Sequence, residues 1–183
     1  MAARILALDL GWAMGWALVN SDAGVVTFGE SAAPVLPADQ IDLRMGEWYR
    51  NLKDLTRRLE PTEIHYELAF QRGQQAARVY GGHWALTNLR ALGLNLRAVG
   101  MHSGTLKKAA TGKGNAKKPE MIAAAGRFLT SWSNEGFTLA GPHIDKMTDN
   151  TADAVCLAWV ASGKVDSPAS GDETHGQDDA DSP

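Results

Sequence analysis

Ile5-Leu6-Ala7-Leu8-Asp9-Leu10-Gly11-Trp12-Ala13-Met14-Gly15-Trp16-Ala17-Leu18-Val19 is the stretch that decides how this chain folds. Its first half is a short apolar run of the kind that forms a buried strand, and a second apolar run follows a glycine-bearing turn. The pair reads as a hairpin with one acid, Asp9, planted where the first strand leaves the sheet. A carboxylate between Leu8 and Leu10 is costly to bury unless a positive charge meets it, and a metal ion is the strongest such charge. Taken alone, Asp9 could equally do no more than open the turn at Gly11.

Outward from this hairpin, Ala3 to Asp9 is expected as the first strand and Trp12 to Asn20 as the second. Ser21-Asp22-Ala23-Gly24 is a turn, and Val25 to Glu30 a third strand that completes an antiparallel meander. Pro34 and Pro37 mark a loop. Ile41, Met45, Trp48, Leu52, Leu55 and Leu59 recur at three- and four-residue spacing, which predicts a helix over Asp39 to Leu59, stopped by Pro61. Glu63 to Glu67 is a short fourth strand ending in a second acid. Gln71 to Gln75 is polar and reads as mobile. A helix follows over about Ala76 to Leu92, where Gly81-Gly82 implies close packing or a break. Leu96 to Met101 is the fifth strand and Ser103 to Ala110 a short helix. Thr111 to Asn115 is a flexible loop, Lys117 to Trp132 a helix, and Ser133 to Lys146 irregular. Thr148 to Ser162 is the last helix, with Thr148 or Asp149 as its N-cap. The order predicts an α/β fold with a five-stranded mixed sheet, its first three strands antiparallel, flanked by helices. Ribonuclease H-like domains have this order, with the acid-bearing first strand in the middle of the sheet.

With 183 residues, 44% apolar and 21% charged, the chain has the size and make-up of one globular domain. No apolar run approaches the roughly 20 residues of a membrane span, and no signal peptide is expected ahead of the first strand. The single cysteine, Cys156, leaves no internal disulfide, so a reducing cytoplasm is the expected setting. The net charge of −3 is uneven: residues 164–183 hold six acids against one lysine, which leaves 17 basic and 15 acidic residues in the rest. The expected organisation is a folded domain over residues 1–163 and an acidic, disordered tail over 164–183.

Asp9 and Glu67 end strands that such a sheet sets side by side, and ends of neighbouring strands are where sites form in open α/β sheets. Asp149, Asn150 and Asp153 open a helix that is otherwise apolar and can share one face of it. Asp153 stands among Ala, Val, Cys and Leu, where a helix made only for packing would not place a charge. Carboxylates converging from separate elements suit Mg²⁺ or Mn²⁺, and two such ions can drive hydrolysis of a phosphodiester. The plainer alternative is a strand-end acid in water and acids favoured at a helix N-terminus. A second cluster is basic: Lys107, Lys108, Lys113, Lys117 and Lys118 fall within twelve residues that hold no acid. Lysines beside the flexible Gly112 and Gly114 suit phosphate oxygens, although a merely solvated loop has the same look. Phe70, Gln71, Arg72 and Arg78 follow Glu67 closely; Phe70 could be core or could stack on an unpaired base.

On these residues the chain resembles the small RuvC-type Holliday junction resolvases of bacteria and phages, over about residues 3 to 163. The likeness lies in Ile5-Leu-Ala-Leu-Asp9-Leu-Gly11 with Gly15 and Trp16, and in Tyr66-Glu67-Leu-Ala-Phe70. It lies also in Leu106 to Lys118 and in Asn150-Thr-Ala-Asp153-Ala154. The resemblance implies a crossover junction endodeoxyribonuclease that uses two Mg²⁺ or Mn²⁺ ions and acts in recombination, repair or phage DNA processing. Asp9, Glu67 and Asp153 would be its metal-binding catalytic acids, joined by Asp149 or Asn150. Lys107, Lys108 and Lys118 would contact DNA near the cut, with Lys113, Lys117 and Arg72 as further DNA-binding candidates. Phe70 would match the aromatic implied in opening the junction centre. The family's members are homodimers that cut two opposed strands and leave 5′-phosphate ends, and here about Ala76 to Leu92 would form the dimer interface. The sequence names no branch-migration helicase. In that family Asp or His usually stands where this chain has Asn150, which offers a carbonyl oxygen but no charge.

Other readings have less to stand on. The five histidines are not spaced for zinc, and neither Ser103 nor Cys156 has an evident base. Asp-x-Gly followed by Gly15 also resembles the phosphate loop of actin-like kinases, but those need two domains and further glycine motifs. A nuclease for other branched or structured nucleic acids, and a junction-binding module that has lost catalysis, both remain open.

Overall fold

The structure, a computed structural model, describes residues 3–37, 39–70 and 73–164. At its centre β1 (Arg4–Leu8) pairs antiparallel with β2 (Met14–Asn20), which pairs antiparallel with β3 (Val25–Ser31). On its other side β1 runs parallel to β4 (Glu63–Leu68), and β4 runs parallel to β5 (Arg97–His102). The antiparallel meander and parallel half are as the sequence predicts. The sheet nevertheless has six strands rather than five, in the order β5-β4-β1-β2-β3-β6. The sixth, β6 (Thr138–Ala140), adds in parallel to the outer edge of β3 within the stretch expected to be irregular. Three residues are too few to show an alternation, and the pairing starts from a contact distant in sequence, Thr138 N–H to the Gly24 carbonyl at 2.7 Å.

Five α-helices cover the two faces: α1 (Ile41–Leu59), α2 (Gln74–Gly93), α3 (Ser103–Thr111), α4 (Lys118–Asn134) and α5 (Asp149–Ala161). Strand alternation divides the core between them. Leu6 and Leu8 of β1, with Ile64 and Tyr66 of β4, pack under Trp48, Leu52 and Leu55 of α1 and Ala91 of α2. Ala7, Ala17 and Val19 turn the other way, onto Met121, Leu129 and Trp132 of α4 and Val155 and Leu157 of α5. Carried one step past the end of β1, the alternation sends Asp9 to the α5 side, and on β4 it sends Glu67 to that same side. Helix α2 runs unbroken through Gly81-Gly82; of the two expectations there, close packing is the one met, since a Cβ on Gly82 would lie 2.6 Å from the Met45 Cε of α1.

The approach of α5 to the sheet depends on one residue. A Cβ on Gly15 of β2 would stand 2.0 Å from the Asn150 carbonyl oxygen, so only glycine lets the first turn of α5 lie on the strand. Ala152, Ala154 and Ala158 are wholly buried along the same helix and keep it close for its whole length. Thr148 is its N-cap, the Thr151 N–H donating to the Thr148 hydroxyl at 3.2 Å. Among the described residues, no helix is long and apolar enough to cross a membrane. The expected acidic tail, beyond Lys164, lies outside the described residues.

Candidate active site

Leu8 stands opposite Tyr66 in the parallel β1–β4 pair, so Asp9 and Glu67 follow as neighbours at the ends of adjoining strands. Glu67 is only 7% exposed, and Asp9 and Asp153 are half-buried. Burial pushes the Asp9 carboxyl up from 3.8 to about 8; the charges of Glu67, Asp153 and Asp149 add to the rise, and a hydrogen bond from the Gly11 N–H opposes it. Burial and then Glu67 push Asp153 up to about 7, with Lys107 drawing it down. Three acids from three elements thus stand within reach of each other's charge. The sequence predicts that these three acids converge; here their charges act on one another.

The turn that carries Asp9 is fastened from below. The Asp9 N–H donates to the Gly15 carbonyl at 2.9 Å and closes the hairpin. Trp48 Nε1 donates to the Gly11 carbonyl at 2.9 Å, and His83 Nδ1 lies 2.8 Å from the Leu10 carbonyl. Since a carbonyl only accepts, the proton of the neutral ring sits on Nδ1. The His83 ring stacks on Trp48 at 4.1 Å and meets Trp12 edge-on at 4.8 Å. Fully buried, it is pushed down to about 4 and is neutral at ordinary pH. Histidine spacing gave no hint of this role, because the partners are carbonyls of a distant turn.

Asp149, Asn150 and Asp153 sit on the opening turns of α5 but are engaged differently. Asp149 forms an ion pair with Lys118, which holds its carboxyl below the usual carboxylate range. Asn150 Nδ2 donates to the Ala13 carbonyl at 3.0 Å and to Glu30 Oε2 at 3.1 Å. Glu30 also accepts from the Thr148 hydroxyl at 2.6 Å. Asn150 is therefore a strap joining the hairpin turn, the end of β3 and the start of α5. An aspartate could not make either donation and would face Glu30 as a like charge, which is a physical reason for Asn here. Glu30 was not singled out in the sequence because both its partners lie more than a hundred residues away.

The lysines are divided as well. Lys107 and Lys108 lie on α3, with Lys107 near enough to Asp153 to act on its charge. Lys113 pairs with Glu120 at 3.2 Å, and Glu120 also accepts from the Lys117 N–H at 2.7 Å. Lys118 is tied to Asp149. Phe70, which the sequence left between core and surface, is 88% exposed just past the end of β4. Arg72 and Gln71 lie outside the described residues. Cys156 is fully buried and its thiol is pushed far up, which disposes of it as a nucleophile.

The donor set is oxygen-only and negatively charged, with burial and mutual repulsion raising two of its carboxyls; it fits a hard divalent cation in chemistry. Among the described residues no three acid, histidine or cysteine side chains are already gathered into a group that could hold an ion.

No family model matches this sequence, and no curated protein does. Solved structures do match. The T. thermophilus RuvC in complex with Holliday junction substrate superposes with a TM-score of 0.67 at 18% identity, over 88% of this chain and 93% of that one. The yeast mitochondrial Holliday junction resolvase Ydc2 gives 0.57 at 12%, over 85% and 76%. The Fowlpox virus resolvase in complex with substrate Holliday junction DNA gives 0.52 at 14%, over 88% and 97%. The fold of this chain is that of the RuvC-type, ribonuclease H-like resolvases.

Proposed function

We propose that this chain is a metal-dependent endonuclease that cuts opposed strands of four-way DNA junctions. The observation that carries this is that Asp9, Glu67 and Asp153, at the ends of β1 and β4 and near the start of α5, lie close enough for their charges to act on one another. Asp9, Glu67 and Asp153 would hold Mg²⁺ or Mn²⁺, with the Asn150 Oδ1 and Asp149 at the margin. When bound, such ions activate water and stabilise the leaving oxygen of a phosphodiester.

The chain's own groups do the rest. The Gly11 N–H aims the Asp9 carboxylate, and His83 and Trp48 keep its turn from shifting. Lys107 and Lys108 receive backbone phosphates beside Asp153, and Lys113, Lys117 and Lys118 extend that strip along the start of α4. Exposed Phe70 stacks on bases that are unpaired at the junction centre. Arg72, two residues on, is a further phosphate contact. The outer side of α2 shows Trp84, Leu89 and Leu92 to solvent, with Leu94 just beyond, which suits a homodimer that sets two sites against two strands.

A second reading, junction binding without cutting, draws on Asn150 acting as a strap and on Lys118 occupying Asp149. Four-way junction, linear duplex, single strand and RNA–DNA hybrid, each offered with Mg²⁺, Mn²⁺ or EDTA, separate the possibilities. Metal-dependent cutting of the junction well above the others is expected. Equal cutting of linear duplex would defeat the proposal, and tight junction binding with no cutting in any metal would favour the second reading.

A further inference from the structure

On the side of the Asp9 turn away from α5 there is a cleft of about 410 Å³, within the roughly 300–1,000 Å³ of small-ligand sites. Asp9 and Trp12 form one wall, Ile41 and Arg44 of α1 another, and Ala76 and Tyr80 of α2 the third. Three features of it are not used by the site described above. The Arg44 guanidinium lies over the Trp12 ring, 4.2 Å from its centre, yet its Nε is buried and finds no acceptor among the described residues. Nor does Arg44 form an ion pair with any acid among the described residues. The third feature is that α1 and α2 both begin at this cleft, and neither N-cap, Gln40 or Gly73, closes its helix with a side-chain hydrogen bond. The cleft therefore combines a guanidinium with two sets of first-turn N–H groups, all suited to an anion, with apolar and aromatic lining from Leu10, Trp12, Ile41, Val79 and Tyr80.

We propose that this cleft takes in one unpaired nucleotide of the strand being cut, its base against the Trp12 wall and its phosphate on Arg44, and so sets which base can flank the scissile phosphate. The inference rests on the nuclease reading: Asp9 also lines the cleft, so a strand whose phosphate lies at Asp9 has the cleft beside it. A planar base matches the apolar and aromatic lining, and a phosphate matches the guanidinium and the two helix starts.

Binding is measured in EDTA with Asp9→Asn, against junctions carrying a single abasic site at each position around the cut. One position is expected at which loss of the base weakens binding about ten-fold, the scale of one lost base–aromatic stack. Adding Ala76→Trp, which fills the cleft from its α2 wall, should erase that difference. Adding Arg44→Met, which keeps the aliphatic stem on Trp12, should shrink it. The same two variants in the otherwise parental chain should relax the base preference of cleavage. The proposal is overturned if no position responds, or if the response survives both variants. It is overturned too if the abasic series is flat while free mononucleotides bind, which would make the cleft a site for the free ligand. Failure to bind or cut junctions at all would defeat the nuclease reading itself, whereas normal cutting with a flat abasic series defeats only the cleft.

Discussion

The two walls of the acid cleft are built by different means. The turn that carries Asp9 is pinned by separate polar contacts, Gly11 to Trp48 and Leu10 to His83, reaching up from a cluster of rings. The wall that carries Asp153 is packed: wholly buried Ala152, Ala154 and Ala158 bring α5 onto the sheet, and Gly15 lets its first turn touch β2. Between them runs the Asn150 strap. A pinned wall can lose one contact and shift slightly, because each hydrogen bond is worth only about 1 kcal/mol. A packed wall cannot yield at one point without moving the whole helix.

The sharpest way to break the comparison is Gly15→Ala. Its methyl group would press on the Asn150 carbonyl, and we expect a loss of about 3 kcal/mol in urea unfolding together with cleavage, since Asp153 moves with the helix. Asn150→Asp comes next. Although it restores the residue type usual in the resembling family, it loses two donations and sets a carboxylate against Glu30, for a cost of about 2 kcal/mol. Glu30→Gln in the same chain should recover part of that, because a Gln amide can donate to Asp; no recovery would show that the strap is not what matters.

The acids themselves make stability depend on pH. Asp9 has its folded value raised from 3.8 to about 8, so between those values the folded chain keeps a proton that the unfolded chain has lost. Without metal, stability should therefore fall as pH rises through that window and level off above it. Asp9→Asn should flatten the slope, and Mg²⁺ should stabilise the parent more at the alkaline end. Smallest is His83→Phe, which keeps the stack on Trp48 but drops the bond to Leu10. A loss of about 1 kcal/mol is expected, with slower cleavage at unchanged junction binding. A far larger loss would mean that the pinned wall is as cooperative as the packed one.

What could be read from the sequence follows from the range of the contacts. The hairpin, the strand after Pro61 and the placing of Asp9 and Glu67 at neighbouring strand ends are written in short apolar runs and turn residues, which are local signals. Asp153 stood out because a charge interrupts an apolar helix. β6 escaped because three residues show no period, and it exists only by pairing with β3. The role of Asn150 escaped because its partners are 137 and 120 residues away, and the same residue read locally looks like a metal ligand short of a charge. His83 looked like one more residue of a helix, and nothing short of the folded cluster links it to Leu10.

The most direct test of the central claim, that Asp9, Glu67 and Asp153 make one metal-dependent cutting site, compares the parent with Asp9→Asn on a synthetic four-way junction across a Mg²⁺ titration. Cutting and binding are followed on the same samples. Paired nicks in opposed strands are predicted that require the metal, vanish in EDTA and vanish in Asp9→Asn, while junction affinity stays within about three-fold because the lysine strip carries it. Cutting by Asp9→Asn at the parental rate, or by the parent in EDTA, would contradict it.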